Sequence, residues 1–253
     1  MIAEQHKHWL FVSVIVASVV GMFFVGPISQ DPNYHQFADQ RALGFIPNAG
    51  DVLSNLLFIV VGSLGLWHGF NKSLTGGLPS LHRIYIFLFV GVFLTGFGSA
   101  YYHWAPSNST LVWDRLPMTI AFMALFAMII GEQISKELAL TLVGPLIMFG
   151  AFSVAYWHFT ELKGQGDLRL YVLVQFLPLL LIPLLLLLFP SPFNSSRGIW
   201  LALGFYALSK LFEALDKIIF DYGFGISGHS IKHVVAAGGT GCILWALTSR
   251  QSK

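Results

Sequence analysis

Residues 83–104 read RIYIFLFVGVFLTGFGSAYYHW. Apart from Arg83 at the leading edge, and His103 near the far end, nothing in this run carries or readily takes a charge. A helix that crosses a bilayer needs roughly 20 mostly apolar residues at a rise of about 1.5 Å each, and this run supplies them. Its polar side chains gather at the trailing end, in Gly98-Ser99-Ala100-Tyr101-Tyr102-His103. The stretch therefore sets the fold class and also points to a site.

Seven further apolar runs flank it, near 9–27, 52–70, 112–131, 138–158, 169–189, 197–218 and 230–248. Unpaired backbone is intolerable in hydrocarbon, so each reads as a spanning helix. Turn chemistry separates them: Gly26-Pro27, the Gly76-Gly77 pair before Pro79, Pro106-Ser107-Asn108, Gly164 to Asp167, and Pro190 to Ser196. Composition agrees. Of 253 residues, 55% are hydrophobic and only 10% charged, and mean hydropathy is +0.70. A soluble domain carries about 25% charged residues. A soluble enzyme, a disordered chain and a nucleic-acid binder are thereby excluded. The net charge of +2 implies no strongly charged partner, and the single Cys242 excludes an intrachain disulfide or a cysteine-based metal cluster. The first run also resembles a signal peptide. Its apolar stretch, Trp9 to Val25, is longer than a usual signal core and lacks a small-x-small cleavage site, which favours an anchor helix. Lys and Arg lie almost equally on the two sides, so charge does not orient the chain.

Polar groups inside apolar runs need a partner or a task. Ser99 and His103 are four residues apart and share one helical face. Asp114 opens the fourth helix after a short link, so an antiparallel turn brings it near the depth of His103. His229 and His233, again four apart, open the last helix on the same membrane side. Three neutral imidazoles with a free fourth position form the ligand set of a hydrolytic zinc site, where bound water becomes acidic near neutral pH. Each piece also has a plain reading. An isolated His-x-x-x-His is a weak signal. Ser99 can bond its own helix backbone. Asp114 can serve as a helix N-terminal charge or pair with Arg115. These readings explain the residues one by one but not their common depth. Elsewhere, Lys210–Glu213 and Glu213–Lys217 have the spacing of intrahelical ion pairs. His68, His82 and His158 read as interfacial, and His6 and His8 as part of a loose N-terminal segment. Tyr171, one turn into the sixth helix, has a hydroxyl able to reach a central site. The Leu179–Leu188 stretch reads as a lipid-facing or packing surface. Gly238-Gly239-Thr240-Gly241 permits close helix contact, within the chain or between chains.

The order Gly98-Ser99-x-x-x-His103, then Asp114 in Asp-x-Leu-Pro-Met, then His229-x-x-x-His233 on the last helix resembles the alkaline ceramidase family. That family belongs to a wider group of seven-helix membrane hydrolases that includes the adiponectin-receptor-like proteins. Ser54-Asn55 is similar to the signature of its first core helix. The resemblance spans roughly residues 31–248. It implies an all-α, polytopic membrane bundle: a seven-helix hydrolase core at 31–248, an extra N-terminal transmembrane helix within 1–30, and a short tail at 249–253. It further implies Zn²⁺ held by His103, His229 and His233, with Ser99 and Asp114 as the other active-site residues and Tyr171 as an oxyanion helper. The implied reaction is hydrolysis of the amide of ceramide or a related N-acyl lipid to a long-chain amine and a fatty acid. The chain departs from the family in its additional first helix. It also has a thinner set of carboxylates in the 28–51 loop, where animal members bind calcium. Asp31, Asn33, Asp39, Asn48 and Asp51 supply the oxygen donors that Ca²⁺ prefers; the alternative is a solvated loop that caps helix N-termini. The competing functional readings are a lipid-binding receptor or transporter with a structural metal, and a haem-binding bundle.

Overall fold

The computed structural model describes residues 4–223 and 225–253. Residues 1–3, at the start of the expected anchor segment, and Phe224 lie outside the described residues. Helices occupy all eight expected places. They are α1 (Glu4–Phe24), α2 (Ala49–Ser54) continuing into α3 (Leu56–Phe70), α4 (His82–Trp104), α5 (Asn108–Gln133), α6 (Lys136–Leu162), α7 (Arg169–Leu188), α8 (Arg197–Ala214) with a short α9 (Asp216–Asp221), and α10 (Gly228–Ser249). Among the described residues, seven segments are long and apolar enough to cross a membrane: α1, α2 with α3, α4 with the short turn before it, α5, α6, α7 and α10. The eighth, α8, has 18 residues and carries Arg197, Lys210 and Glu213. The molecule is a polytopic helical bundle.

The helix starts nearest the polar cluster are fixed by side-chain caps. Ser107 accepts from the Thr110 backbone N–H at 3.2 Å, and Thr110 Oγ1 accepts from the Ser107 N–H at 3.0 Å, a reciprocal capping box at the start of α5. Ser227 caps α10 by accepting from the Ser230 N–H at 3.0 Å. Helix α4 runs antiparallel to α5, and small residues let them touch closely. A Cβ at Gly98 would collide with the Trp113 carbonyl, one residue before Asp114. Gly98 therefore sets the spacing between Ser99 and Asp114. The glycines of α10 serve the same purpose within the chain: a Cβ at Gly239 would press on Phe205 and Ala202 of α8.

The Leu-rich stretch is both of the things expected of it. Leu181 and Leu185 are buried, whereas Leu180 and Leu187 face outward. His6 and His8, expected in a loose segment, instead lie in α1, and His8 packs on Phe189 with ring centroids 5.0 Å apart. Helix α1 rests on α7. Arg169, at the start of α7, joins these two helices: its Nη1 donates to the Val25 carbonyl at 2.9 Å, and Asp167 holds its guanidinium at 2.7 Å. Hydrogen bonding to Arg169 holds the Asp167 carboxyl below the usual carboxylate range. At the opposite end of the bundle, Glu132 and Arg250 form a fully buried ion pair, and Arg250 Nε donates to the Gly76 carbonyl at 2.5 Å.

Candidate metal centre and cavity

His103 comes from the last turn of α4, and His229 and His233 from the first two turns of α10. All three are buried, at 1%, 5% and 5% exposure. One ring nitrogen from each lies within 4.8 Å of the others, and the Nε2 atoms of His103 and His229 face each other at 3.4 Å. Among the described residues, these three form the one group of three or more His, Cys, Asp or Glu able to share an ion, and no fourth such residue joins them. Three imidazoles crowded nitrogen to nitrogen, with no acidic neighbour in the set, suit a borderline-soft divalent metal with one position left open.

The surroundings fix the rings. Ser54 Oγ lies 2.8 Å from His233 Nδ1 and 3.0 Å from the Asp51 carbonyl. A hydroxyl has one proton. With that proton directed at Asp51, Ser54 accepts from His233 Nδ1–H, and Nε2 becomes the free lone pair of the ring. Phe37, from the loop before α2, packs against His103 and His229 with centroids 4.6 and 4.8 Å away. Asn48 Nδ2 donates to the His103 carbonyl at 2.8 Å. The start of α10 is pinned twice. Asp216 accepts from the His229 N–H at 2.8 Å. Asp51 Oδ1 accepts from the hydroxyls of Ser230 at 2.6 Å and Ser227 at 3.2 Å. Carboxylates at a helix N-terminus also oppose its dipole favourably.

A cavity of about 290 Å³ opens beside the triad and is lined by His233, Ser99, Asp114 and Tyr171. Ser99 is buried and its hydroxyl sits beside the half-buried Asp114 carboxyl. The three residue groups singled out in the sequence are thus brought together around one cavity. Tyr171 joins the same cavity wall, beneath the Arg115 guanidinium at 4.8 Å.

Several expectations are corrected. Asp114 does not pair with Arg115. Arg115 instead donates to Gln30 Oε1 at 2.6 Å and stacks on Trp157 at 4.3 Å. Lys210 pairs with Glu213 at 2.6 Å as expected, but Lys217 does not. Helix α8 ends at Ala214, so Lys217 belongs to α9 and binds Asp221 at 3.0 Å. The second Glu213 oxygen is taken by Lys232 of α10 at 2.6 Å.

Four of the five loop residues expected to share calcium have side chains engaged elsewhere. Asp31 caps a short turn by accepting from the Asn33 N–H at 2.9 Å, and Asp39 grips Arg41 at 2.7–2.8 Å. Arg41 holds the Asp39 carboxyl below its usual range. Asn48 serves His103, and Asp51 serves the start of α10. Among the described residues, Asp31, Asp39 and Asp51 form no three-ligand group with any His, Cys, Asp or Glu. Of the two readings of this loop, the capping one holds for Asp31 and Asp51, while Asp39 and Asn48 bind Arg41 and the His103 carbonyl instead.

Some contacts were beyond sequence reasoning. The placement of Phe37, the bond from Asp216 to the α10 start and the Glu213–Lys232 bridge all join residues far apart in sequence, and no local pattern announces them. Ser54 was visible only as half of a signature pair.

A comparison with curated proteins gave no match. A family model described as Ceramidase matches residues 45–185, which carry Ser99, His103, Asp114 and Tyr171 and end before the α10 histidines. That match covers more than half of the 253 residues, and the chain belongs to the ceramidase family.

Proposed function

We propose that this protein is an intramembrane, metal-dependent amide hydrolase that cleaves ceramide or a related N-acyl lipid to a long-chain amine and a fatty acid. The observation that carries this reading is the meeting of His103, His229 and His233 beside a cavity that also exposes Ser99 and Asp114. His103, His229 and His233 would hold one Zn²⁺, which when bound supplies an acidified water and a Lewis acid for the amide carbonyl. The remaining work falls to the chain itself. Asp114 orients the attacking water and takes its proton as general base. The Ser99 hydroxyl donates to the carbonyl oxygen as negative charge develops there, and Tyr171 Oη supports the same oxygen from the α7 side. Asp114 then returns the proton to the leaving nitrogen as the C–N bond breaks. One water is consumed, and the products are a carboxylic acid and an amine. Phe37 and the helix walls keep other water away, which strengthens each of these polar interactions. The acyl tail lies along the apolar side of the cavity formed by Phe58, Val92 and Phe122.

The test is to incubate the purified protein with a panel of N-acyl lipids, with and without a chelator. Fatty-acid release that stops with chelation and returns with Zn²⁺ supports the proposal. Release unaffected by thorough metal removal contradicts it.

A further inference from the structure

The cavity is not electrically neutral. Its lining includes three cationic side chains, Arg115, Lys210 and Lys232, against two carboxylates, Asp114 and Glu213. Lys210 and Lys232 share Glu213, one on each oxygen at 2.6 Å. Arg115 is different. It is buried, at 6% exposure, and makes no ion pair among the described residues. One of its nitrogens, Nη1, has no hydrogen-bond partner among them. The guanidinium is held by the Gln30 amide oxygen and by the faces of Trp157, Tyr171 and Tyr34, at 4.3, 4.8 and 5.8 Å. Aromatic faces attract a cation but leave its charge in place. A buried charge is ordinarily matched by an opposite one in contact with it; the adjacent Asp114 attracts Arg115 through space but makes no salt bridge with it.

Position gives this charge a meaning. Arg115 lies in the second turn of α5, close to where the polypeptide leaves the bundle. The cavity residues further along α5, Met118, Ala121 and Phe122, are apolar. The cavity therefore changes from cationic at the helix-start end to apolar towards the middle of the bundle, with Ser99 and Asp114 beside the change. An amphiphile with an anionic head and a long tail matches this order.

We propose that Arg115 forms an oxyanion subsite that binds a carboxylate or phosphate borne by the lipid. This rests on reading the cavity as the amide-lipid site proposed above. Two sources share the chemistry: an anionic head group on the amide substrate, and the carboxylate of the released fatty acid. Guanidinium is well suited to either, because its planar fork meets two oxygens at once.

The test measures binding, not turnover, on the full-length chain after chelation, so that it does not depend on the proposed hydrolysis. The probes are N-oleoylglycine, its neutral counterpart N-oleoylethanolamine, and sodium oleate, each titrated into native protein and into Arg115→Gln and Arg115→Lys. The native chain is expected to bind at least one anionic probe tenfold or more tightly than N-oleoylethanolamine. Arg115→Gln is expected to abolish that preference, and Arg115→Lys to retain part of it. A preference for N-oleoylglycine identifies the head group as the source; a preference confined to oleate identifies the product. Equal binding of charged and neutral probes by the native chain overturns the proposal even if the variants fail to fold. So does an anion preference that survives in a folded Arg115→Gln protein. If the preference is found but no amide is ever hydrolysed, the enzymatic reading fails and the subsite stands.

Discussion

Removing one hydroxyl, in Ser54→Ala, should weaken the metal centre without touching a ligand. In the native chain Ser54 Oγ is 2.8 Å from His233 Nδ1, and its proton is directed at the Asp51 carbonyl 3.0 Å away. The oxygen therefore accepts from Nδ1–H and keeps Nε2 unprotonated. With Ser54 gone, the Asn55 amide Nδ2 still stands 3.4 Å from His233 Nδ1. An amide N–H is a donor. It favours a lone pair on Nδ1, hence a proton on Nε2, the opposite tautomer from the one a ligand needs. Loss of such a supporting partner typically costs about 10- to 100-fold in metal affinity, or about 1.4–2.8 kcal/mol. Competition against a chromophoric chelator measures this directly, with Ser54→Thr as the control that keeps the hydroxyl. A Ser54→Ala protein that folds normally and binds Zn²⁺ with native affinity would refute the tautomer argument.

Three further outcomes are expected. Asp114→Asn keeps the metal but loses the base, so turnover should fall by about 10²- to 10⁴-fold while metal content stays native; this is read by fatty-acid release alongside elemental analysis. Glu132→Ala leaves Arg250 charged and buried at the far end of the bundle, and should cost about 3–5 kcal/mol of stability, seen as a lowered thermal midpoint in detergent with metal stoichiometry unchanged. The Asp167 carboxyl lies below its ordinary range because of Arg169. Its contribution is therefore complete above the unfolded value, near about pH 4, and is lost as pH falls through the lowered folded value. Asp167→Asn should show a weaker acid dependence of unfolding than the native chain; identical acid profiles would remove Asp167 from the account.

Much of the bundle is legible in the sequence because a bilayer imposes a simple rule: long apolar runs become helices. Seven of the eight expected runs reappear as segments apolar enough to span, and the run containing Lys210 and Glu213 appears as the shorter, more polar α8. The histidines are legible for a related reason. Their four-residue spacing puts them on one face, and counting helices places His103 and the His229/His233 pair at the same depth. Charge partners are less legible. Glu213 has Lys210 and Lys217 at suitable spacing in the sequence, but only the packing of α8 on α10 shows that Lys232 displaces Lys217. Arg115 illustrates the same limit. Its neighbour in sequence is Asp114, yet a helix turns by about 100° per residue, and the guanidinium swings to Gln30 and Trp157 instead. The polar loop over 28–51 offers oxygen donors that suit calcium in type. Their orientation is settled by helix caps and by Arg41, which no spacing rule anticipates.

Metal content tests the central claim most directly. Elemental analysis of protein purified without added metal, compared between the native chain and His229→Ala, should find about one zinc per chain in the first and none above background in the second. An active native chain devoid of transition metal, or a His229→Ala variant that retains a full equivalent, would contradict it.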